Sequence, residues 1–374
     1  MTIVSTSKFD VAPTRAHADD QAVPASTWFM MGAAALGSRL VLGWIYWGGA
    51  SRRFIYDIKK INPESPGYLA NKLVHAAPGI PFGLDGVVHW ILSQPLLLQT
   101  AVIGFSLVEL VVGVGLIVGF ATRLWSLIGL GLAAFLMVVF GWMGTTCLDE
   151  WTMAASGFAM AALTLVTGSG PYSMDQVLIK SGAVARRPWL AWLTSGSLPI
   201  SERATVKLAT TLGVLSIAFT VFFYGFNFHA IYSHLGKRVD NLHPRVQLTG
   251  AGLTGDGRLV VHTYINAGPD TQGLYIVRAV LAPKAAGADA KPVFDYNAAA
   301  LKDKKTLTIA NRFAPWSTCK SLAYAVRCQL GSQATWSLAV PAGQATTGGP
   351  LVLTLTDVEG VTFRTEVPVR TAAK

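Results

Sequence analysis

The fold of this chain is decided by residues 96–143, LLLQTAVIGFSLVELVVGVGLIVGFATRLWSLIGLGLAAFLMVVFGWM, which are almost continuously apolar. Glu109 and Arg123 are the charged residues in this stretch. Its length suits two helices that each cross ~30 Å of hydrocarbon. Residues 121–123 interrupt it, so the sequence predicts two membrane-spanning helices, at about 96–120 and 124–143, joined by a tight turn.

Similar apolar segments lie on either side of this hairpin. They are residues 28–50, 151–167 and 206–228. The first ends in the aromatic residues Trp44 and Trp47, followed by Arg52 and Arg53, a pattern typical of a membrane interface. The sequence therefore predicts an α-helical membrane bundle of about five transmembrane helices. Residues 28–205 form its four-helix part, and residues 206–229 form the fifth helix.

The composition agrees with a chain that lies largely in a bilayer. Hydrophobic residues make up 52% of the 374 residues and charged residues 13%, whereas soluble domains have about 25% charged residues. Residues 1–27 are polar and predict a flexible cytoplasmic tail. The long connection 51–94 keeps apolar residues, so short amphipathic helices are expected at 68–75 and 84–92.

Residues 230–374 differ in character from the helical part. Short β-rich runs alternate with Gly, Pro and Asp turns, at 258–265, 273–281, 307–313, 335–340, 351–356 and 361–367. About seven strands at this spacing predict an all-β, immunoglobulin-like antiparallel sandwich.

Most of the net charge of +10 lies in that C-terminal part. Residues 1–229 hold 14 Lys/Arg against 11 Asp/Glu, and residues 230–374 hold 16 against 9. A basic exposed domain attracts anions. There is no aromatic RNA-binding strand motif, zinc-finger spacing or recognition-helix pattern, so we expect no nucleic-acid partner.

The three cysteines limit the kinds of redox chemistry that the chain can perform. Cys319 and Cys328 lie nine positions apart, and Cys147 lies far upstream, so the simplest interpretation is one structural disulfide and one free thiol. A disulfide implies an oxidising compartment. The absence of any Cys-x-x-Cys argues against covalent haem and cysteine-ligated iron–sulfur clusters.

The predicted disulfide also orients the chain. Five spans place the termini on opposite sides, and an N-terminus in the cytoplasm puts the C-terminal domain outside. Arg123 and the basic residues within 180–207 then face the cytoplasm, as the positive-inside rule requires. The basic residues of the 51–94 connection argue against this orientation, and the disulfide decides for it. We therefore expect a multi-pass protein of the cell membrane with an extracytoplasmic C-terminal domain, and the 51–94 connection on that outer side.

Two charges lie within the predicted spans. Arg39 and Glu109 fall at similar depths of the first and second spans, where each charge alone would cost several kcal/mol, about 2.5–3.5 by insertion scales. They are expected to face each other. This pair is either a structural ion pair or a polar group of a proton path or quinone site.

The turn between the third and fourth spans carries the free thiol. Cys147 is followed by Asp149 and Glu150, and two carboxylates disfavour a thiolate unless a cation lies nearby. Arg52 and Arg53, or the pair Lys59 and Lys60, could supply that cation. The alternative is an inert small residue in a tight turn.

Other candidates lie in the 51–94 connection and at the end of the first span. His75 and His89 are spaced too loosely to predict a metal site. They are either interfacial histidines or hydrogen-bonding partners of a quinone carbonyl. Trp44 and Trp47 are most simply an interfacial belt, and could also stack on a quinone ring.

Several of these motifs together resemble a known family. They are Arg39, Arg52-Arg53, Pro63-x-Ser65-Pro66, Lys72-Leu73, the Glu109 span, GFATRL at 119–124, TCLDEW at 146–151 and GSGPYSMD at 168–175. This set resembles DoxD, a DoxX-like membrane subunit of thiosulfate:quinone oxidoreductase. The fifth span and the β-domain, with STC at 317–319 and CQLG at 328–331, resemble its partner subunit DoxA, so the chain looks like a natural fusion of the two.

The resemblance implies oxidation of thiosulfate to tetrathionate, with electrons passed to the membrane quinone pool. Quinone would be a non-covalent cofactor, and no haem, flavin or metal is expected. By this resemblance the catalytic residues would be Cys147, Asp149 and Glu150. Thiosulfate would be bound by Arg52, Arg53, Lys59 and Lys72. Quinone would be bound by Arg39, Trp44, Trp47, His75 and Glu109.

Two matters stay open from the sequence. The alternative function is a non-catalytic DoxX-like scaffold or docking subunit for a separate redox enzyme in the lipid bilayer. A homo-oligomer is compatible with the sequence.

Overall fold

The computed structural model describes residues 22–144, 150–231, 238–284, 291–341 and 349–368. Helices α1 to α11 in these ranges are, in chain order, Ala25–Ala34, Leu36–Ser51, Leu69–Ala76, Leu84–Leu92, Pro95–Val118, Thr122–Phe140, Glu150–Thr167, Met174–Lys180, Ala183–Arg186, Glu202–Phe228 and Ala298–Lys302. Short non-α turns lie at Arg52–Tyr56, Ile58–Ile61, Ala77–Gly79 and Pro188–Trp192.

Strands β1 to β10 follow α10. They are Arg245–Leu253, Arg258–Ala267, Leu274–Pro283, Phe294–Asn297, Leu307–Asn311, Cys319–Ser321, Val326–Cys328, Gln333–Ala339, Leu351–Asp357 and Thr362–Val367. The predicted fold class is confirmed, because a helical N-terminal region precedes an all-β domain of two antiparallel sheets.

Three described helices, α5, α6 and α10, are long and apolar enough to cross a membrane. The first predicted span corresponds to two helices, α1 and the helix that continues α2 to Tyr56, which are bent by 53° at their junction. Counted as one span, this pair raises the number of candidates to four. The predicted fourth span forms α7, but this helix is not among the candidates by length and composition.

Helix α7 has 18 residues, against 19 to 27 in the other three, so its polar residues weigh more heavily in its mean hydropathy. Its 18 residues begin with Glu150 and include four hydroxyl side chains. Ser156 Oγ donates to the Thr152 carbonyl at 2.8 Å, and Thr164 Oγ1 donates to the Met160 carbonyl at 3.0 Å. These bonds to the preceding turn satisfy the hydroxyls within the helix itself.

The turn between α5 and α6 is held by a distant aspartate. Gly119 and Ala121 adopt positive φ angles of 69° and 50°. Asp175 accepts hydrogen bonds from the amides of Ala121 at 2.8 Å and Thr122 at 3.1 Å. It therefore satisfies amides at the start of α6, which gives GFATRL and GSGPYSMD a shared structural role.

The C-terminal domain is a two-sheet sandwich. One sheet has the strand order β1-β2-β8-β5, and the other has β10-β9-β3-β7-β6, with β4 also paired to β3. Inward residues of both sheets, among them Val261, Trp336, Leu281 and Leu353, form one buried core. The order β1-β2-β8-β5 against β10-β9-β3 matches the ABED and GFC sheets of an immunoglobulin fold.

The β6–β7 hairpin is an addition to that fold, and it carries the disulfide. Cys319 and Cys328 face each other across the hairpin and are bonded, which confirms their predicted pairing. Both sulfurs are buried in the sandwich core. The sequence pattern missed β1, β4 and both strands of this hairpin.

The chain forms two compact units. The first is formed by described residues within 1–47, 111–131 and 157–218, and the second by described residues within 48–110, 132–156 and 219–374. The predicted domain boundaries themselves stay a prediction.

Candidate functional site

The 51–94 connection folds as predicted into two short helices, and the first presents a polar face. In α3, Ala70 and Val74 are buried in an apolar cluster with Leu98 and Val102 of α5. Residues spaced three and four apart share a helix face, so Lys72 and His75 lie along another side of α3, while Tyr68, just before the helix, joins the apolar cluster. The second compact unit includes both α3 and the β-domain, and this polar side is where the β-domain contacts α3.

Direct hydrogen bonds hold the β-domain to α3 and the segment before it. Trp316 Nε1 donates to the Pro63 carbonyl at 2.9 Å. The Ser317 amide donates to Asn71 Oδ1 at 2.9 Å. Gly331 lies so close that an added Cβ would be 1.9 Å from the Val74 carbonyl oxygen. The β-domain is therefore docked by matched backbone and side-chain contacts.

Lys72 is the most strongly paired cation at this contact. Its ammonium lies 2.8 Å from Glu150 Oε1 at the start of α7 and 2.7 Å from Asp270 Oδ2 in the β2–β3 turn. Burial alone would lower the pKa of Lys72, but the hydrogen bonds to Asp270 and Glu150 outweigh it and raise that pKa. The three groups carry a formal charge of −1 when ionised.

His75 lies one turn further along α3 and is only 6% exposed. Its Nε2 atom has no hydrogen-bond partner among the described residues. Burial, with a smaller contribution from Lys72, lowers the pKa of His75 to about 4, although Asp270 acts in the opposite sense. At neutral pH the ring is therefore uncharged and offers one unpaired polar atom.

A second polar contact joins α4 to the β-domain. His89 Nε2 lies 3.3 Å from Gln333 Nε2, and the His89 ring stacks on Phe313 with centroids 6.2 Å apart. Arg312 Nη1 donates to Gln333 Oε1 at 2.6 Å. Burial and the Arg312 charge lower the pKa of His89. We interpret these contacts as part of the docking surface.

Glu109 is paired differently from the prediction. Its carboxylate forms an ion pair with Arg53, which also donates to Ser106 Oγ at 3.2 Å. The two charged side chains are only 14% and 12% exposed. Arg53 also lies over the Phe105 ring, 5.7 Å from its centroid. The expected partner Arg39 is thus replaced by Arg53, which comes two residues after the end of α2.

Arg39 lies in the first compact unit and is 1% exposed. Its Nη2 lies 3.5 Å from the Tyr172 carbonyl, while Nε and Nη1 have no partner among the described residues. Gly119 leaves room for this guanidinium, because an added Cβ would be 1.9 Å from Nη1. These contacts favour a structural role beside the α5–α6 turn.

The remaining predicted residues are more exposed or lie outside the described ranges. Trp44 is 59% exposed, whereas Trp47 is half-buried. Arg52 and Lys59 are exposed and form no ion pair within the described ranges. Cys147 and Asp149 lie outside the described residues. The structure thus brings Lys72, His75 and Glu150 into one region of the second unit, and separately joins Arg53 to Glu109.

Sequence reasoning missed one residue at each of these two places. Asp270 reaches Lys72 from 198 positions away, and Ser106 lies one helical turn from Glu109. The spacing of Ser106 and Glu109 could have suggested a shared face, but no local signal marks Asp270. No cluster of three or more His, Cys, Asp or Glu suited to a metal occurs in the parts of the chain that the structure describes.

These features define a class of protein. Several long apolar helices make it a membrane protein, and a β-sandwich is docked on the connection between its first two spans.

The family comparison is more specific. Residues 35–201 match the family model DoxD, described as "TQO small subunit DoxD", where TQO denotes thiosulfate:quinone oxidoreductase. The match covers less than half of the chain and ends before α10. It supports a DoxD-containing membrane protein related to thiosulfate:quinone oxidoreductase, and it leaves the resemblance of the β-domain to DoxA a prediction.

Among solved structures, the chain is similar to the archaellum periplasmic stator protein FlaG from Sulfolobus acidocaldarius. The identity is 12%, and the match covers 33% of this chain and 99% of that chain with a TM-score of 0.21. A likeness at this level informs neither the fold nor the function.

Proposed function

We propose that this protein oxidises thiosulfate to tetrathionate and passes the electrons to membrane quinone. The observation that carries the proposal is the DoxD match over residues 35–201. The matched region includes two ion pairs described above, the largely buried Arg53–Glu109 pair and the partly exposed Lys72–Glu150 pair. Charges held at the end of a membrane span and in the connection after it suit a reaction between a soluble anion and a lipid-soluble acceptor.

The overall reaction joins two thiosulfates and reduces one quinone. Two thiosulfate dianions lose one electron each and form the sulfur–sulfur bond of tetrathionate, and quinone takes the two electrons and two protons to become hydroquinone. We propose that the 51–94 connection and the β-domain lie on the outer side of the membrane, as the disulfide favours.

Arg52 and Lys59 are the proposed thiosulfate-binding cations. They are exposed and lack acidic partners among the described residues, so their charge is available to an incoming dianion. Arg53 and Lys72 were also predicted to bind thiosulfate, but their carboxylate partners reduce the positive charge they offer. We therefore assign Arg53 and Lys72 to the quinone side of the reaction.

Glu109 and His75 are the proposed polar groups near the quinone. Glu109 is held by Arg53, and neutral His75 has an unpaired Nε2 that can bond a quinone carbonyl. Trp44 stays a candidate for stacking on the quinone ring. Arg39 and Trp47 stay candidates from the sequence.

Two chemical routes are compatible with the overall balance. In the first, the Cys147 thiolate and one thiosulfate form a disulfide adduct as two electrons pass to quinone. The second thiosulfate then attacks the sulfane sulfur of that adduct, which releases tetrathionate and the thiolate. In the second route, thiosulfate adds directly to the electron-poor quinone, and the second thiosulfate displaces hydroquinone from the adduct.

The test is thiosulfate-dependent reduction of a soluble quinone by the purified full-length chain, with tetrathionate measured in parallel. We expect one tetrathionate for each quinone reduced. Cys147→Ala separates the routes, because its inactivity in a folded protein supports the thiol adduct and its activity supports direct addition. Absence of both products from the wild type would refute the proposal and favour the scaffold alternative.

A matched pair of variants tests anion binding. Arg52→Gln should raise the KM for thiosulfate, because a guanidinium that binds oxyanions is lost. Arg186→Gln removes another exposed arginine, from α9 and outside the proposed site, and should leave KM unchanged. Equal KM values for the two variants would remove Arg52 from the site.

A further inference from the structure

The Lys72 ammonium is shared by carboxylates from two different parts of the chain. Glu150 lies in the first turn of α7, inside the region that matches DoxD. Asp270 lies in the β-domain, outside that region. Both oxygen atoms are within hydrogen-bond distance of the same nitrogen, at 2.8 Å and 2.7 Å.

The turn that carries Asp270 is held in place by its own domain. Arg327 donates from Nε to the Gln272 carbonyl at 3.2 Å and from Nη2 to the Thr271 carbonyl at 3.3 Å. Gly273 has a φ of +79°, and a Cβ there would be 2.4 Å from the Cys328 carbonyl oxygen. The Asp270 carboxylate is thus presented to Lys72 by a turn packed against strand β7.

We propose that Asp270 is a positioning residue of the quinone site, and that the β-domain therefore completes a site which residues 35–201 form only in part. The inference rests on the proposed function. Asp270 and Glu150 together fix where the Lys72 charge lies relative to the buried His75.

The charges explain why this arrangement suits quinone reduction. A trio with a formal charge of −1 disfavours a bound dianion such as thiosulfate. Quinone arrives neutral and gains negative charge as it accepts electrons, so a fixed ammonium nearby stabilises the reduced form. Lys72 keeps its proton in this role, the two protons of hydroquinone come from water, and the two electrons come from thiosulfate.

The experiment compares Asp270→Asn, Asp270→Glu and a control in the full-length protein. The control is Asp295→Asn, because Asp295 also pairs with an arginine, Arg278, in the same domain but away from α3. The first readout is the rate at which an amine-reactive ester labels Lys72, followed by peptide mass spectrometry. The second readout is the pH dependence of kcat for quinone reduction.

Loss of Asp270 should increase Lys72 labelling by about tenfold for each unit by which the pKa of the lysine falls. The groups that face Lys72 in the described structure are Glu150, Asp270 and His75, so removal of one carboxylate must lower that pKa. The kcat should fall by on the order of 10- to 100-fold because the charge is misplaced, and its decline at high pH should begin at a lower pH. Asp270→Glu should restore part of both properties, and Asp295→Asn should change neither.

Two outcomes would overturn the inference. Unchanged labelling in Asp270→Asn would show that the carboxylate does not hold Lys72. Increased labelling with wild-type kcat and pH profile would show that the contact has no part in the reaction. A wild type without thiosulfate-dependent activity would instead refute the proposed function and with it the catalytic relevance of Asp270, while labelling would still report on the Lys72–Asp270 contact.

Discussion

Substitution of Gly331 by alanine is a direct probe of the contact between the β-domain and α3. Gly331 has a φ of +73°, and the added methyl carbon would be 1.9 Å from the Val74 carbonyl oxygen and 2.6 Å from the Val74 carbonyl carbon. Backbone atoms of α3 cannot rotate away as a flexible side chain can. The β-domain and α3 would therefore have to move apart locally by about 1.5 Å, from 1.9 Å to the ordinary 3.4 Å.

Two costs add at this position. A non-glycine residue in the left-handed region costs about 1–2 kcal/mol. Forcing a methyl group into a packed contact costs about 1–3 kcal/mol more. We expect Gly331→Ala to lower the free energy of unfolding of the β-domain and α3 by about 2–5 kcal/mol.

A second glycine separates the two costs. Gly257 has the same φ of +73°, but an added Cβ there would have no atom within 4 Å. Gly257→Ala should therefore show the backbone cost alone. The measurement is denaturant unfolding of both variants in detergent micelles, with hydrogen exchange of the α3 amides as a local readout.

The difference between the two variants is the quantity that tests the docking. We expect Gly331→Ala to be less stable than Gly257→Ala by about 1–3 kcal/mol, with faster exchange in α3 for Gly331→Ala only. Equal stabilities and equal exchange would refute the close contact between Gly331 and α3. If the proposed function holds, Gly331→Ala should also lose quinone reduction, since displacements near 1 Å can reduce rates on the order of 100-fold.

Three further predictions follow from the contacts described above. Arg53→Ala leaves the Glu109 carboxylate poorly solvated and should destabilise the protein by about 3–5 kcal/mol. Adding Glu109→Gln to this variant should recover part of that loss in a thermal unfolding assay, and additive effects of the two substitutions would argue against the ion pair. Replacing Cys319 and Cys328 by alanine should lower the free energy of unfolding by about 2–3 kcal/mol, because the unfolded chain gains the entropy of the released loop. The measurement is urea unfolding of this variant and of the oxidised wild type, and an unchanged midpoint would contradict the prediction. Because burial lowers the pKa of His75 from 6.5 to about 4, the unfolded chain binds a proton first as pH falls through this range. Stability should therefore decrease between pH 6.5 and 4, by up to about 3 kcal/mol, and His75→Gln should remove that dependence; a slope that persists in the variant would show that other groups cause it.

Much of the fold could be predicted because its signals are local. The apolar runs gave α5, α6 and α10 to within a few residues, and alternation of apolar and polar residues marked β2, β3, β8 and β9. Strands β6 and β7 have only three residues each, which is too short for a periodic pattern. The bend after α1 has no proline and no glycine at the break itself, so the sequence offered no signal for a bend within the first predicted span.

The site was predicted less completely, because ion pairs depend on three-dimensional distances. Depth in the span suggested Arg39 as the partner of Glu109. The arginine that reaches it is Arg53, which a helical turn after α2 carries toward Ser106 and Glu109. Asp270 illustrates the same limit more strongly, since a contact over 198 positions exists only after the β-sandwich has folded and docked.

Helix α10 makes the β-domain and the helical region parts of a single polypeptide, and this changes how strong the docking must be. Two separate proteins would need a low dissociation constant and matched expression to keep the Asp270 carboxylate at Lys72. A covalent tether instead makes the docking intramolecular, with an effective concentration in the millimolar range for short linkers. A contact made of a few hydrogen bonds and the Lys72 ammonium shared by two carboxylates can then stay formed at any concentration of the protein. The tether also ensures that each α3 has one β-domain.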